Sequence, residues 1–316
     1  MRPDAVDGGL VPALSGEELI DLDPTLGEIA DLEVLAWGAK PSTALSFEDV
    51  LDIARTVRRG AERPDVDGLV VVQGTDLLEE TAYALDLLLR LAKPLVLVGA
   101  MRAAEEPGSD AQVNLRDAIR VAATPAAAAA GALVVSAGRI HAAADVVKAH
   151  STAIDAFASP NEGPLGRVSA AGVELARRPP GARIPMPAAA APVWLITVGL
   201  GVDGREVTAA LAGGAAGLVL AAGGSGQTHP GVLESCAEAL ARDVPVALAT
   251  RCHAGGVHTT YGYPGGGARW ARAGAILAGT LSPAKCRVAL ALGIGAGLDR
   301  QALAEVLARP AVNPPR

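Results

Sequence analysis

Apolar and polar positions along this chain follow two rhythms. Gly68-Leu-Val-Val-Val-Gln73, Leu95-Val-Leu-Val-Gly99 and Ala132-Leu-Val-Val-Ser136 are short unbroken apolar runs, the pattern of strands buried in a parallel sheet. Helical spacing fills the intervals. Ser46-Phe-Glu-Asp49 reads as a capping box, and Phe47, Val50, Ile53, Ala54 and Val57 behind it fall on one face. Leu77, Ala84, Leu85, Leu88 and Leu91 mark a second helix, and Asn114 to Ala123 a third. Strands alternating with helices predict a parallel sheet with helices on both faces.

The rhythm breaks at Arg177-Arg-Pro-Pro-Gly-Ala-Arg-Ile-Pro-Met-Pro-Ala-Ala-Ala-Ala-Pro192, which is rich in proline and has no apolar period. It then restarts. Strands are expected over Val193 to Val198, Gly217 to Ala222 and Val244 to Thr250. Helices are expected over Arg205 to Ala212 and Gly231 to Arg242, with two more starting at Ser282 and Asp299. The fold class expected is α/β: a larger parallel-sheet N-terminal domain over residues 1–178, a proline-rich linker over 179–192, and a smaller α/β C-terminal domain over 193–316.

Composition narrows the function. The 316 residues carry 27 Lys and Arg against 34 Asp and Glu, a net charge of −7, with no basic cluster to grip a phosphate backbone. Only 3 Trp, 3 Tyr and 2 Phe are available to stack on bases, so nucleic acid is not an expected partner. Cys236, Cys252 and Cys286 are scattered, which suits neither a disulfide scaffold nor a zinc ribbon and fits a reducing compartment. Cys252, His253 and His258 are too loosely spaced, and lack the fourth ligand, for a zinc site. No apolar run reaches the roughly 20 residues of a membrane span, and Met1 to Gly16 lacks a secretory pattern. A cytoplasmic protein is expected.

The informative stretch is Gln73-Gly-Thr-Asp-Leu-Leu-Glu-Glu-Thr-Ala-Tyr83, where a strand gives way to a helix. Ligands of open parallel sheets bind at that edge, beyond the carboxyl ends of the strands. Gly74 permits a tight turn, and Asp76 with Glu79 forms a capping-box-like pair. Two readings stand side by side. Thr-Asp before a helix is often no more than an N-cap. In the other, which the pair alone supports less, the Thr75 hydroxyl beside the Asp76 carboxylate could attack a carbonyl and hold a substrate ammonium.

The longer string resembles the bacterial L-asparaginase family, whose motif is His-Gly-Thr-Asp-Thr-Leu-Glu-Glu-Thr-Ala-Tyr. Lys93-Pro-Leu-Val-Leu-Val-Gly-Ala-Met-Arg102 is similar to its next motif, and Ser109, Asp110, Asn114, Leu115, Asp117 and Ala118 to the one after. Later similarities are Ser159-Pro-Asn-Glu-Gly-Pro-Leu-Gly166, Thr260-Tyr-Gly-Tyr-Pro-Gly-Gly-Gly267 and Gly279-Thr-Leu-Ser-Pro-Ala-Lys285. The resemblance runs from about Pro12 to the end of the chain. It implies hydrolysis of a side-chain amide to a carboxylate and ammonia, without metal or cofactor, at a site between subunits of a homodimer or homotetramer. The substrate implied is asparagine, with glutamine as the alternative.

By the same resemblance Thr75, Asp76 and Lys148 match a catalytic triad of threonine, aspartate and lysine, and Asp76 also binds the substrate ammonium. A lysine desolvated against Thr75 could be held neutral and take a proton from the hydroxyl or from water. Ser42 matches the serine that holds the substrate carboxylate, where hydroxyl and backbone donors suffice. On sequence alone Ser42 also reads as a turn serine after Pro41. Ala100 matches a position whose carbonyl lies near the substrate amide nitrogen. Ser136 to Ala144 departs from the family's asparagine- and aspartate-rich pattern. Gly223-Gly-Ser-Gly-Gln-Thr-His229 lacks the marks of a P-loop or a dinucleotide fingerprint. It matches the family's Gly-Asn-Gly loop, with Gln227 near the usual asparagine. Around Thr259 to Tyr261, where some relatives place a glutamate, there is none.

One family motif has no counterpart. The opening strand ending in Thr-Gly-Gly-Thr-Ile-Ala, whose last threonine is the nucleophile, is not found, nor is the lid tyrosine that follows it. Val6 to Glu18 matches the lid exit and the start of the first helix. The expectation is that the native protein starts upstream, that the lost inner strand leaves two unpaired edges around a slot, and that the chain as given has little activity. The rival reading is a non-catalytic amino-acid-binding protein on the same scaffold. A third, an amidase subunit acting with a tRNA partner, lacks a basic surface segment.

Overall fold

In the computed structural model residues 14–176 and 181–308 are described, with the backbone alone at 2–3 and 10–11. Most of the lid-exit match and residues 177–180 of the proline-rich stretch lie outside the described residues. Two compact units are present, Met1–Gly181 and Ala182–Arg316.

The first unit opens with a two-residue antiparallel ladder, β1 (Arg2–Pro3) with β2 (Leu10–Val11), and a short helix α1 (Gly16–Asp21). Then come α2 (Phe47–Glu62), β3 (Leu69–Val72), α3 (Leu78–Leu88), β4 (Leu95–Val98), α4 (Ala111–Ala122) and β5 (Ala132–Ser136). Ser46 caps α2 through a reciprocal pair with Asp49, and Val50, Ile53, Ala54 and Val57 are buried, as the spacing requires. After β5 follow β6 (Arg139–Ala142), a small pair β7 (Val147–Lys148) with β8 (Phe157–Ala158), and the hairpin β9 (Gly166–Ser169) and β10 (Gly172–Leu175).

The main sheet has the order β10-β9-β6-β5-β4-β3. β3, β4 and β5 are parallel, but β5–β6, β6–β9 and β9–β10 are antiparallel, so the all-parallel expectation holds for only half of it. The cause is local. Ser136 pairs with Arg139, leaving a two-residue turn, and a turn that short can only reverse the chain. That turn carries strain. Ala137 sits at φ +49°, a left-handed conformation that asparagine or aspartate tolerates better. Ala137→Asn should raise stability by about 1 kcal/mol, read from urea denaturation.

β4 and β5 are wholly buried, and Val96, Val98, Leu133 and Val135 pack against Ala118 and Val121 of α4. β3 was expected to be buried as well, yet it stands at the end of the sheet, with β4 its only ladder partner among the described residues. Val72 is accordingly 52 % exposed. Leu35 is 64 % exposed, within residues 30–41, which carry neither helix nor strand. The expected slot does not interrupt the sheet, which is continuous from β10 to β3.

Asp23 ties the segment after α1 to α4. Its carboxylate accepts from the Thr25 hydroxyl at 2.7 Å and backbone N–H at 3.2 Å, and meets the Arg116 guanidinium at 2.5 Å. The Thr25 hydroxyl, aided by Arg116 and opposed by burial, holds the Asp23 carboxyl below its ordinary value. A lowered carboxyl stabilises the fold above its unfolded value of about 3.9, and that contribution fades as pH falls through the folded value. Asp23→Asn should therefore lose stability at neutral pH but approach the parent below about pH 4, in denaturation curves across pH.

The second unit is a parallel sheet of order β11-β12-β13-β14. Its elements are β11 (Val193–Thr197), α5 (Arg205–Ala212), β12 (Gly217–Ala222), α6 (Pro230–Ala241), β13 (Val246–Thr250), α7 (Gly267–Ala273), β14 (Ile276–Leu277), α8 (Pro283–Gly295) and α9 (Arg300–Leu307). Its core centres on Trp270, Leu218, Leu220 and Cys236, and burial pushes the Cys236 thiol up to about 12, which leaves it inert near neutral pH. Part of the proline-rich stretch is packed into the second unit. Ile184 is fully buried, the Ala191 N–H donates to the Ala291 carbonyl, and the Pro192 carbonyl accepts from Ala216. Proline hides this packing from any periodicity. No helix among the described residues is long and apolar enough to cross a membrane.

Candidate functional site

β3 ends at Val72, and the chain turns through Gly74 into a 3-10 turn, Thr75–Leu77, before α3. This places Thr75 and Asp76 at the carboxyl edge of the sheet. The Thr75 side chain is buried, whereas the Asp76 side chain is 63 % exposed. Lys148 reaches them from β7: its Nζ donates to Thr75 Oγ1 at 2.9 Å and to Asp76 Oδ1 at 2.6 Å. Hydroxyl, carboxylate and amine thus converge across more than seventy residues of sequence.

Asp76 does not cap the helix. The N-cap position of α3 is Leu77, which makes no side-chain cap bond. Nor does Glu79 complete a capping pair, because its Oε2 accepts the backbone N–H of Lys148 at 2.7 Å. The expected cap gives way to a polar cluster that leaves the Asp76 carboxylate open to solvent. The lysine amine is not isolated in a dry pocket, since it is engaged in an ion pair with Asp76.

Ser42 is buried in a 3-10 turn, Ser42–Ala44, and its Oγ accepts the Leu77 N–H at 3.3 Å. The hydroxyl proton remains available to donate to a ligand. Gly74 is the close-approach glycine here: a Cβ on it would stand 3.3 Å from Ser42 Oγ.

Ala100 lies in the turn after β4. Asp110 accepts the N–H groups of Met101 and Arg102, each at 3.0 Å, and the Asn114 amide at 2.8 Å. Asn114 also donates to the Gly99 carbonyl at 3.0 Å and accepts the Ala137 N–H at 3.0 Å. One buried pair therefore ties the turns after β4 and β5 together, with good geometry for every bond. Sequence reasoning quoted Asp110 and Asn114 without giving them this task. Their spacing of four at the start of a helix puts both on one face, which is the signal that could have found them. Sequence reasoning also passed over Gln73, whose amide nitrogen and oxygen are both buried without a hydrogen-bond partner.

In the second unit Gly223–His229 follows β12. Gly223 bridges to Gln227, Gly224 and Gly226 take positive φ, and Gln227 donates to Ser225 Oγ at 3.2 Å. A cleft of about 500 Å³ lies between β14 and α9, lined by Gly274, Ile276, Arg300 and Ala304 among others. It contains no site residue expected from sequence. Among the described residues no cluster of three His, Cys, Asp or Glu side chains could hold a metal.

The family description "Asparaginase, N-terminal" matches residues 1–181, and "Glutaminase/Asparaginase C-terminal domain" matches residues 192–307. The chain is 34 % identical over 285 residues to an L-asparaginase of Bacillus licheniformis, covering 89 % of this chain and 87 % of the relative. It is 42 % identical over 245 residues to a protein of Deinococcus radiodurans named probable L-asparaginase, covering 76 % and 74 %. The crystal structure of a probable cytoplasmic L-asparaginase from Campylobacter jejuni superposes with a TM-score of 0.85 at 28 % identity, covering 94 % of this chain and 95 % of the other.

Proposed function

Since this chain belongs to the asparaginase family, we propose that it hydrolyses the side-chain amide of L-asparagine to L-aspartate and ammonia. The observation that carries the reading is the Lys148 amine 2.9 Å from the Thr75 hydroxyl beside an exposed Asp76 carboxylate. A substrate α-ammonium pairs with Asp76, and the α-carboxylate takes the Ser42 hydroxyl and neighbouring backbone N–H groups. The ammonium then competes with Lys148 for Asp76. The displaced Lys148 ammonium gives up a proton to water, and the neutral amine left facing Thr75 is placed to receive the proton of that hydroxyl or of a water it orients. As that proton leaves, the oxygen bonds to the amide carbon and backbone N–H groups steady the oxyanion. The C–N bond then breaks as the proton passes to the leaving nitrogen, ammonia departs, and where Thr75 attacked, water hydrolyses the resulting ester to L-aspartate. The Ala100 carbonyl, in a turn fixed by Asp110, faces the amide nitrogen.

The second reading is an amino-acid-binding protein without hydrolysis, and the test below separates the two. We further place the protein in the cytoplasm, a reading supported by the name of the Campylobacter relative. We also read it as a homodimer or homotetramer, on the resemblance of Gly223–His229 to the loop that reaches a partner's site. Asparagine is preferred to glutamine on the names of the Bacillus licheniformis and Deinococcus radiodurans relatives, although one methylene is worth only about 1–3 kcal/mol of discrimination.

The test measures ammonia release from L-asparagine and L-glutamine, together with calorimetric binding of L-aspartate. It uses this chain and a version extended in frame upstream. Ammonia from L-asparagine with either protein supports the amidohydrolase. Binding of L-aspartate without ammonia from either supports the binding protein. Neither binding nor ammonia overturns both.

A further inference from the structure

The lysine of the site rests on a weak platform. β7 is two residues long, its ladder partner among the described residues is the two-residue β8, and the Ala149 and His150 N–H groups add bonds to the Ala156 carbonyl; ladders that short have little stability of their own. Yet Nζ of Lys148 must be held within hydrogen-bond range of two acceptors, and its long stem has several rotatable bonds to order. The part that compensates is Glu79. Its Oε2 accepts the Lys148 backbone N–H at 2.7 Å, a charge-assisted bond. Thr75, Asp76 and Glu79 come from one continuous stretch, the 3-10 turn and first turn of α3, and together grip Lys148 at both ends. Glu79 is spent neither on capping nor on an ion pair with a basic side chain among those described.

We propose that Glu79 is a positioning residue: by clamping the main chain at Lys148 it sets where the amine stands between Thr75 and Asp76. The proposal deepens the amidohydrolase reading and rests on it for its catalytic consequence, but the positioning itself can be read without turnover. Glutamine keeps an amide oxygen that can accept the N–H while losing the charge. Methionine keeps length and helix propensity without a comparable acceptor.

The experiment treats the parent, Glu79→Gln and Glu79→Met with an amine-acetylating ester and follows each lysine by peptide mass spectrometry, with Lys40 as the exposed reference. Freed from its clamp, the Lys148 amine leaves its acceptors and becomes more accessible. Its acetylation relative to Lys40 should rise at least fivefold in Glu79→Met and less than twofold in Glu79→Gln. Where ammonia release is measurable, kcat should fall at least tenfold in Glu79→Met, with KM for L-asparagine within threefold. Glu79→Gln should keep most of the parent rate. Circular dichroism confirms folding, and Glu79→Ala replaces methionine if that variant does not fold. Equal Lys148 reactivity in all variants overturns the proposal. So does Glu79→Gln behaving like Glu79→Met, which would assign the effect to charge. A parent that never releases ammonia defeats the catalytic reading and leaves the reactivity result to stand or fall alone.

Discussion

Lys148→Met should cut ammonia release from L-asparagine by about 10²–10⁴-fold, the range lost when a proton-transferring side chain is removed. The melting temperature should barely move. Methionine can follow the apolar stem of the lysine, so packing is largely kept. Of the two acceptors left behind, the Asp76 carboxylate is exposed to water and the Thr75 hydroxyl can turn to another partner. The Glu79 bond survives, because it uses the backbone N–H. Lys148→Arg should not rescue the activity: a guanidinium holds its proton at any ordinary pH and cannot serve as the base. A drop of less than tenfold in Lys148→Met, measured by coupled ammonia assay, would remove the lysine from the chemistry.

Gly99→Val should damage stability and function together. A Cβ at Gly99 would stand 2.5 Å from the Gln73 carbonyl oxygen, 2.9 Å from Thr75 Cγ2 and 3.3 Å from Leu78 Cδ1. Two of these neighbours belong to the strand end and turn that present Thr75, so the clash cannot be relieved by swinging one flexible side chain. Forcing bulk into a packed contact costs about 1–3 kcal/mol. For a protein of this size, each kcal/mol corresponds to a drop of about 2–4 °C in Tm. The relaxation available moves Thr75 away from Lys148, and a misplacement of even about 1 Å can cost a hundredfold in rate. Thermal denaturation and the ammonia assay on one preparation should therefore fall together. A variant with parental Tm and rate would contradict this close packing.

The fold was legible in the sequence where local pattern and burial agree. α5 and β12 lie where periodicity and apolar runs put them, at Arg205–Ala212 and Gly217–Ala222. The antiparallel half of the sheet was not legible. β6, β9 and β10 are short and only partly apolar, and the reversals into β6 and β10 are made by the two-residue turns Ala137-Gly138 and Ala170-Ala171, which composition does not flag. β3 has the apolar run of an inner strand but an edge position, and no property of Leu69 to Val72 alone distinguishes the two. The meeting of Thr75, Asp76 and Lys148 was legible only through the resemblance, since a lone lysine seventy residues away carries no local signal. The role of Glu79 was misread because Asp-x-x-Glu before a helix is also the mark of a cap. In this chain the lysine main chain claims the carboxylate.

The most direct measurement is a crystal structure of this chain with L-aspartate, the product of the proposed reaction. The account predicts the ligand ammonium within hydrogen-bond distance of the Asp76 carboxylate, its α-carboxylate at Ser42, and its side-chain carboxylate beside Thr75 with the Lys148 amine still in reach. Ligand bound elsewhere on the chain, or Asp76 and Lys148 still paired as here at saturating L-aspartate with nothing between Ser42 and Thr75, would contradict it.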